Sequence, residues 1–254
     1  MAEGVASFRE SRLNESMHIS VVYDNRSEVK GIRSGWGFSC LVGERLLFDT
    51  GEKFRPLRTN MARLGGDLHR IDAVVISHDH WDHTGGLWKL LKTRHGIPVY
   101  GCPGFGPRFF RQVEREGGRP MVVTPGMEIV PGVFTTGEVA GSYKGIPMPE
   151  QAIMIDAETG LTVITGCSHP GIVAMAEAAQ ACFPGRSLRL VLGGFHLSDQ
   201  TPEAVRVVAE KLKSMGVERI APTHCTGDRA VSVFQEIFGE RFVPVAAGTR
   251  LETG

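Results

Sequence analysis

The chain has 254 residues, and lysine plus arginine balance aspartate plus glutamate at 28 each. That length fits one large α/β domain, or two small ones, with a substantial core. Zero formal charge leaves no electrostatic footprint for nucleic acid or an anionic membrane, and the short apolar runs exclude a transmembrane helix.

Residues 1–16 are polar, mixed in charge and lack the apolar stretch of a secretory signal. They read as an N-terminal tail, with 17–254 as a single domain. Ile19 to Tyr23 reads as a strand, and Gly37 to Val42 with Arg45 to Phe48 as a hairpin turning at Gly43-Glu44. Ala73 to Ile76 is an unbroken apolar strand of the kind buried on both faces. Leu87-Trp88 and Leu90-Leu91 form one side of a helix. Val99-Tyr100, Met121 to Val123 and Glu128 to Phe134 read as further strands. Ala152 to Ile155 and Leu161 to Ile164 pair across Glu158-Thr159-Gly160, Ile172 to Cys182 is an alanine-rich helix, and Leu188 to Leu192 is a buried strand. The helix opening at Thr201-Pro202 has a capping hydroxyl and a proline in its first turn. Its Val205, Val208, Ala209, Leu212 and Met215 share a face, and Gly216 ends it. This pattern suits a four-layer αββα sandwich or a doubly wound sheet.

The densest chemistry is His78-Asp79-His80-Trp81-Asp82-His83, directly after the strand ending at Ile76 and Ser77. Imidazole and carboxylate are ligands that borderline divalent metals prefer. Alternation puts His78 and His80 on one side of an extended segment. Asp82 and His83 then turn towards Gly85-Gly86, so one turn offers two ligand pairs. Later apolar strands also end in small turns bearing a histidine: Gly166-Cys167-Ser168-His169, Gly193-Gly194-Phe195-His196 and Thr223-His224-Cys225. Strand ends on one edge of an α/β sheet are where such folds place their sites. His18, His69 and His95 lack that context and read as surface or boundary residues. The cysteines (Cys40, Cys102, Cys167, Cys182 and Cys225) are odd in number with no CxxC pair. That points to reduced thiols in a cytoplasm.

Ser77 to Gly86, SHDHWDHTGG, resembles the HxHxDH signature of the metallo-β-lactamase superfamily, and Leu47 to Gly51 resembles the element that places an aspartate behind its site. The three later histidine turns, with Tyr23-Asp24-Asn25 and Trp36 to Ser39, are similar to one branch, the 7,8-dihydropterin-6-methyl-4-(β-ribofuranosyl)aminobenzene-phosphate synthase-like group. The resemblance spans roughly residues 17 to 248. It implies the αββα sandwich over the doubly wound sheet.

The resemblance implies that His78, His80 and His169 bind one metal, and that Asp82, His83 and His224 bind a second. Asp49 would accept an imidazole N–H and fix its tautomer. Where most members carry a bridging aspartate, this chain has Cys167. A thiolate ligand, a poor bridge and a bridge left to water are all open there. His196 is the alternative third histidine; otherwise it faces substrate and stabilises charge or shuttles a proton, sharing the catalytic role with Asp82. Zinc is the first choice of metal, one or two ions per chain, with manganese or iron as alternatives. Substrate contacts are expected from Asp24, Asn25, Trp36 and Phe38, and from Lys144, Glu150 and Gln151. Gly141 to Pro149 has the composition of a flap over the site.

The function implied is a metal-dependent enzyme for a phosphate- or pyrophosphate-bearing small molecule. It would act by hydrolysis or by condensing a dihydropterin pyrophosphate with an arylamine. The competing class is a non-catalytic sensor domain that retains the metal ligands. A small-molecule substrate is the expected partner. No membrane is expected, nucleic acid ranks low, and self-association is left open.

Overall fold

The structure, a computed structural model, describes residues 17–253; the tail read over residues 1–16 lies outside them. The first half contributes β1 (His18–Tyr23), β2 (Ser39–Val42), β3 (Leu46–Phe48), β4 (Ala73–Val75), β5 (Pro98–Gly101) and β6 (Arg119–Val122). Between these strands lie α1 (Phe54–Arg63), α2 (Trp81–Thr84), α3 (Leu87–Thr93) and α4 (Gly106–Arg115). There follow β7 (Glu128–Val130), β8 (Val133–Thr135), β9 (Ser142–Tyr143), β10 (Ile146–Pro147), β11 (Ile153–Ala157) and β12 (Gly160–Thr165). Then come α5 (Ile172–Cys182), β13 (Leu188–Gly194), α6 (Pro202–Ser214), β14 (Arg219–Thr223), α7 (Asp228–Phe238) and β15 (Arg250–Glu252).

One sheet runs β15-β1-β2-β3-β4-β5-β6, the other β14-β13-β12-β11-β8-β7, and β9-β10 is a separate hairpin. Alternate residues of each strand point to opposite faces, so the apolar runs feed two interfaces at once. Ile19, Val21, Phe48 and Val75 of one sheet meet Ile153, Ile155, Leu190 and Leu192 of the other in the central core. Their neighbours Val22, Leu47 and Val74 pack outward under Leu57, Leu90 and Val113 of the helices α1, α3 and α4. On the far side Met154, Val163 and Val191 pack under Met175, Ala209 and Phe234 of α5, α6 and α7. Helix, sheet, sheet and helix form four layers, as the resemblance implied. No helix among the described residues is long and apolar enough to cross a membrane.

The α6 cap is as read: the Thr201 hydroxyl accepts the Ala204 amide. One strand reading is corrected. Glu128 to Phe134 is not continuous but splits into β7 and β8, with Val130 opposite Val133. Pro131-Gly132 makes the turn, with Gly132 at φ +78°, and proline could not have donated to a continuous ladder.

Topology positions the chemistry. Strands β3, β4 and β5 are parallel in one sheet, and β12, β13 and β14 are parallel in the other. The turns following β3, β4, β12, β13 and β14 carry Asp49, His78, Cys167, His196 and His224 respectively. All five open on a common rim.

Candidate metal centre

Asp49 anchors the rim from below. It is fully buried and sits at φ +56°, just past β3. Its Oδ1 accepts the Ser77 amide at 2.7 Å, and its Oδ2 accepts the Ser77 hydroxyl at 2.7 Å. The same Oδ2 lies 2.6 Å from His83 Nδ1. The Ser77 hydroxyl has one hydrogen, directed to Asp49, so towards His78 Nδ1 at 2.9 Å it presents a lone pair. On the other side of the rim, Asn25 Oδ1 lies 3.0 Å from His224 Nδ1 while Asn25 Nδ2 donates to the His224 carbonyl at 3.1 Å.

These contacts assign the tautomers. His78, His83 and His224 each carry the proton on Nδ1 and turn an Nε2 lone pair inward. That is the arrangement ligating histidines take, the outer nitrogen bonded to a protein acceptor and the inner one left for a cation. The inner atoms converge: His83 Nε2 is 3.3 Å from Cys167 Sγ and 3.6 Å from Asp82 Oδ2, and His224 Nε2 is 3.4 Å from Asp82 Oδ2. His78 Nε2 lies 3.1 Å from His80 Nδ1. The His169 ring stands 4.7 Å from His78 and 5.0 Å from His80.

Donor atoms within 4.8 Å of one another fall into sets: Asp82, His83, Cys167 and His224; His78, Cys167 and His169; and Cys167, His196 and Cys225. Cys167 belongs to all three. Both His169 nitrogens, His196 Nδ1 and His224 Nε2 are buried with no hydrogen-bond partner. Buried polar atoms are normally satisfied, so three imidazoles with orphaned nitrogens around one space fit a cation that accepts one lone pair from each ring.

The electrostatics agree. Burial, then the surrounding imidazoles, hold His78 well below its ordinary pKa. Burial and then His196 bring His169 down to about 3; both are thereby neutral, the form that ligates. For His83 burial works the same way, but the Asp49 carboxylate outweighs it and raises the ring to about 9. Burial likewise opposes ionisation of Asp82, yet the His224 and His83 rings hold it well below the usual carboxylate range. The centre combines an ionised carboxylate with neutral His78 and His169, while His83 holds a second proton that a cation at Nε2 would displace.

Backbone strain collects here as well. Among the described residues, the non-glycine positions with positive φ are Asp49, Lys144, Ser168, His196 and His224. Four of them lie in rim turns, where such conformations are held by their surroundings. At Gly166 a Cβ would fall 2.1 Å from Ser77 Oγ. Only glycine lets the turn after β12 close on the turn after β4.

Several expected substrate contacts are placed elsewhere. Asp24, Phe38, Glu150 and Gln151 are fully buried. The Asp24 carboxylate accepts the Thr223 hydroxyl at 2.6 Å, bracing the strand before His224. Phe38 packs edge-on against Phe48 in the central core. Glu150 accepts the amides of Cys167, Ser168 and His169 at 2.7–2.8 Å. Gln151 ties Thr135 to the Ile76 carbonyl. Asp24, Glu150 and Gln151 support the rim from inside, and Phe38 belongs to the core. Asn25 is spent on His224 as described. Trp36 remains half exposed, its ring 5.6 Å from His224.

Lys144 is exposed in the turn of the β9–β10 hairpin, its Nζ 5.0 Å from the Tyr143 ring. That hairpin occupies the stretch read as a flap. Its Tyr143 ring stands 5.2 Å from His80 and from His169, and 5.4 Å from His196. Tyr143 was missed in the sequence, although an aromatic residue in the flap was a signal for it. His18, His69 and His95 are exposed and away from the rim, and the described cysteines are all free.

A family model described as a β-lactamase superfamily domain matches residues 44–136. The 7,8-dihydropterin-6-methyl-4-(β-D-ribofuranosyl)-aminobenzene-5′-phosphate synthase of Methanocaldococcus jannaschii is 32% identical, over 82% of this chain and 84% of that protein. The chain belongs to the metallo-β-lactamase superfamily. Among solved structures, Tm1679, a metal-dependent hydrolase of the β-lactamase superfamily, superposes with a TM-score of 0.78 at 29% identity, covering 93% of this chain and 99% of that one. The metallo-β-lactamase fold protein YhfI from Bacillus subtilis shares the fold at a TM-score of 0.66 and 17% identity, covering 92% and 99%. The matched segment contains the turn that carries His78, His80, Asp82 and His83.

Proposed function

We propose that this chain is a metal-dependent enzyme acting on a phosphate- or pyrophosphate-bearing small molecule. The observation carrying that reading is the set of three Nδ1 tethers (Ser77, Asp49 and Asn25), which leave Nε2 lone pairs facing one space. Condensation of a dihydropterin pyrophosphate with an arylamine is the first version, because the synthase relative is matched over most of both chains. Hydrolysis is the second, favoured by the likeness to Tm1679.

His78, His80 and His169 would hold one ion and Asp82, His83 and His224 another, with Cys167 between them. Neutral imidazole, carboxylate and thiol together suit zinc first, then iron or manganese. Such ions supply Lewis-acid stabilisation of a departing oxyanion and acidify a bound water. The chain's own residues do the rest. Asp49, Ser77 and Asn25 hold the imidazoles in one tautomer and orientation. His196 would pass a proton to the leaving oxygen, a role supported by its unpartnered Nδ1 and its ring 4.4 Å from His169. In the condensation, the methylene C–O bond to pyrophosphate breaks, the methylene carbon bonds to the arylamine, and the amine's proton departs.

Pyrophosphate release from 6-hydroxymethyl-7,8-dihydropterin pyrophosphate should be followed with and without an arylamine. Release that requires the amine supports condensation, and release without it supports hydrolysis. No release, together with no turnover of bis-p-nitrophenyl phosphate by the metal-loaded protein, would mean a binding domain.

The tether itself is testable. Asp49→Asn keeps the shape but can turn an N–H towards His83 Nδ1. Metal affinity, measured by competition with a chelator, should drop by about 10- to 100-fold, the usual cost of losing a ligand's outer partner. Wild-type affinity in that variant would refute the orienting role of Asp49.

A further inference from the structure

Trp36 is half exposed and Trp81 more so, and it is the Trp36 ring that stands 5.6 Å from His224. The Trp36 backbone is nevertheless fixed. The Gly35 amide donates to the Asp24 carbonyl at 3.1 Å, and the Gly37 amide donates to Asn25 Oδ1 at 3.0 Å. Gly37 sits at φ +127°, so close to the rim that a Cβ there would fall 2.2 Å from the Asp82 carbonyl oxygen. The same Asn25 oxygen faces His224 Nδ1 at 3.0 Å. One amide side chain therefore sets both the indole and a histidine of the centre.

Beside the indole is a cavity of about 260 Å³, bounded by Trp36, Asn25, His224, Cys225 and Ser198. Pockets for drug-sized ligands begin at about 300 Å³, so this one has room for a single ring system. One wall is a flat aromatic face and another is the His224 turn of the centre.

We infer that Trp36 and this cavity hold a planar aromatic ring of the substrate, stacked on the indole, while the substrate's phosphate lies at the His/Asp/Cys centre. The inference rests on the proposed phosphate chemistry and narrows it to esters that carry a flat ring, with Trp36 as the residue that selects them. An indole with only two rotatable side-chain bonds, on a backbone already held, binds a flat ring at modest entropic cost. A phosphate ester that carries no flat ring would leave that face wet.

The test uses the metal-loaded full chain and calorimetric titration with two anions, 1-naphthyl phosphate and glycerol 2-phosphate. Wild type should prefer the naphthyl ester by at least about tenfold, within what stacking on one aromatic side chain supplies. Trp36→Phe should keep most of that preference. Trp36→Ala and Trp36→Leu should abolish it, Leu retaining apolar bulk without a flat face. Equal wild-type affinity for the two anions, or a preference that survives in both the Ala and Leu variants, overturns the inference while leaving the phosphate chemistry standing. If wild type binds neither anion, the proposed phosphate site itself fails and the inference falls with it.

Discussion

Glu150→Ala should lower the stability of the fold by about 3 kcal/mol or more and loosen the turn bearing Cys167 and His169. The carboxylate is completely buried, with Oε1 accepting the Cys167 and Ser168 amides and Oε2 the His169 amide. Burial raises its pKa to about 6, with the three amides working against that shift, so at neutral pH it is ionised and each bond is charge-assisted. Alanine leaves three N–H groups without an acceptor in a turn that also holds Ser168 at φ +62°. An orphaned buried donor costs about 1–3 kcal/mol, so even the low end for three is a large share of the roughly 5–15 kcal/mol holding a domain together. Glu150→Gln should fall between, since an amide offers one acceptor oxygen and turns donors towards the remaining N–H. Urea denaturation in the presence of a chelator isolates this contribution from metal binding. A Glu150→Ala midpoint equal to wild type would show that the three bonds add nothing net.

The contrast between Glu150 and His78 explains what could be read from the sequence. The turn from Ser77 to Gly86 is legible because its donors, its bend and its preceding strand lie within about a dozen residues. The β-branched runs are legible for a similar reason, since strands apolar on both faces need two cores, and Val74 and Val75 go to different ones. Glu150 and Asn25 carry no such local mark. Asn25 meets His224 across 199 positions of sequence, and Glu150 meets its turn only after β11 and β12 fold back as a hairpin. Both were expected at the substrate, where polar residues near a site are usually assigned, and both instead hold the rim in shape. Helix α4 was left unread although Pro107 sits in its first turn and Phe109 and Val113 bury on one face. Arg108, Arg111 and Arg115, spread along the helix, diluted the periodicity. Pro131-Gly132 was likewise a turn signal inside an apolar run that otherwise looked continuous.

Cys167→Ala should reduce bound metal from two ions per chain towards one and lower turnover by more than the 10- to 100-fold typical of losing an outer partner. Its sulfur is the atom common to every donor set, within 4.8 Å of the His78/His169 group and of the Asp82/His83/His224 group, and 3.3 Å from His83 Nε2. Without it, the first set loses one of its three clustered donors, while the second keeps a carboxylate and two imidazoles, enough for a three-residue site. Burial alone would favour the neutral thiol; two divalent cations at this spot would reverse that, since a coordinating thiol gives up its proton. Cobalt-substituted protein separates the outcomes. Wild type should show a sulfur-to-cobalt charge-transfer band, Cys167→Ala should lose it, and Cys167→Asp should lose the band yet retain two ions, because a carboxylate spans two metals as well as a sulfur does. A band that persists in Cys167→Ala would move the ligating sulfur to Cys225. A ratio near two in that variant would instead show that the pair holds together without any bridge from residue 167.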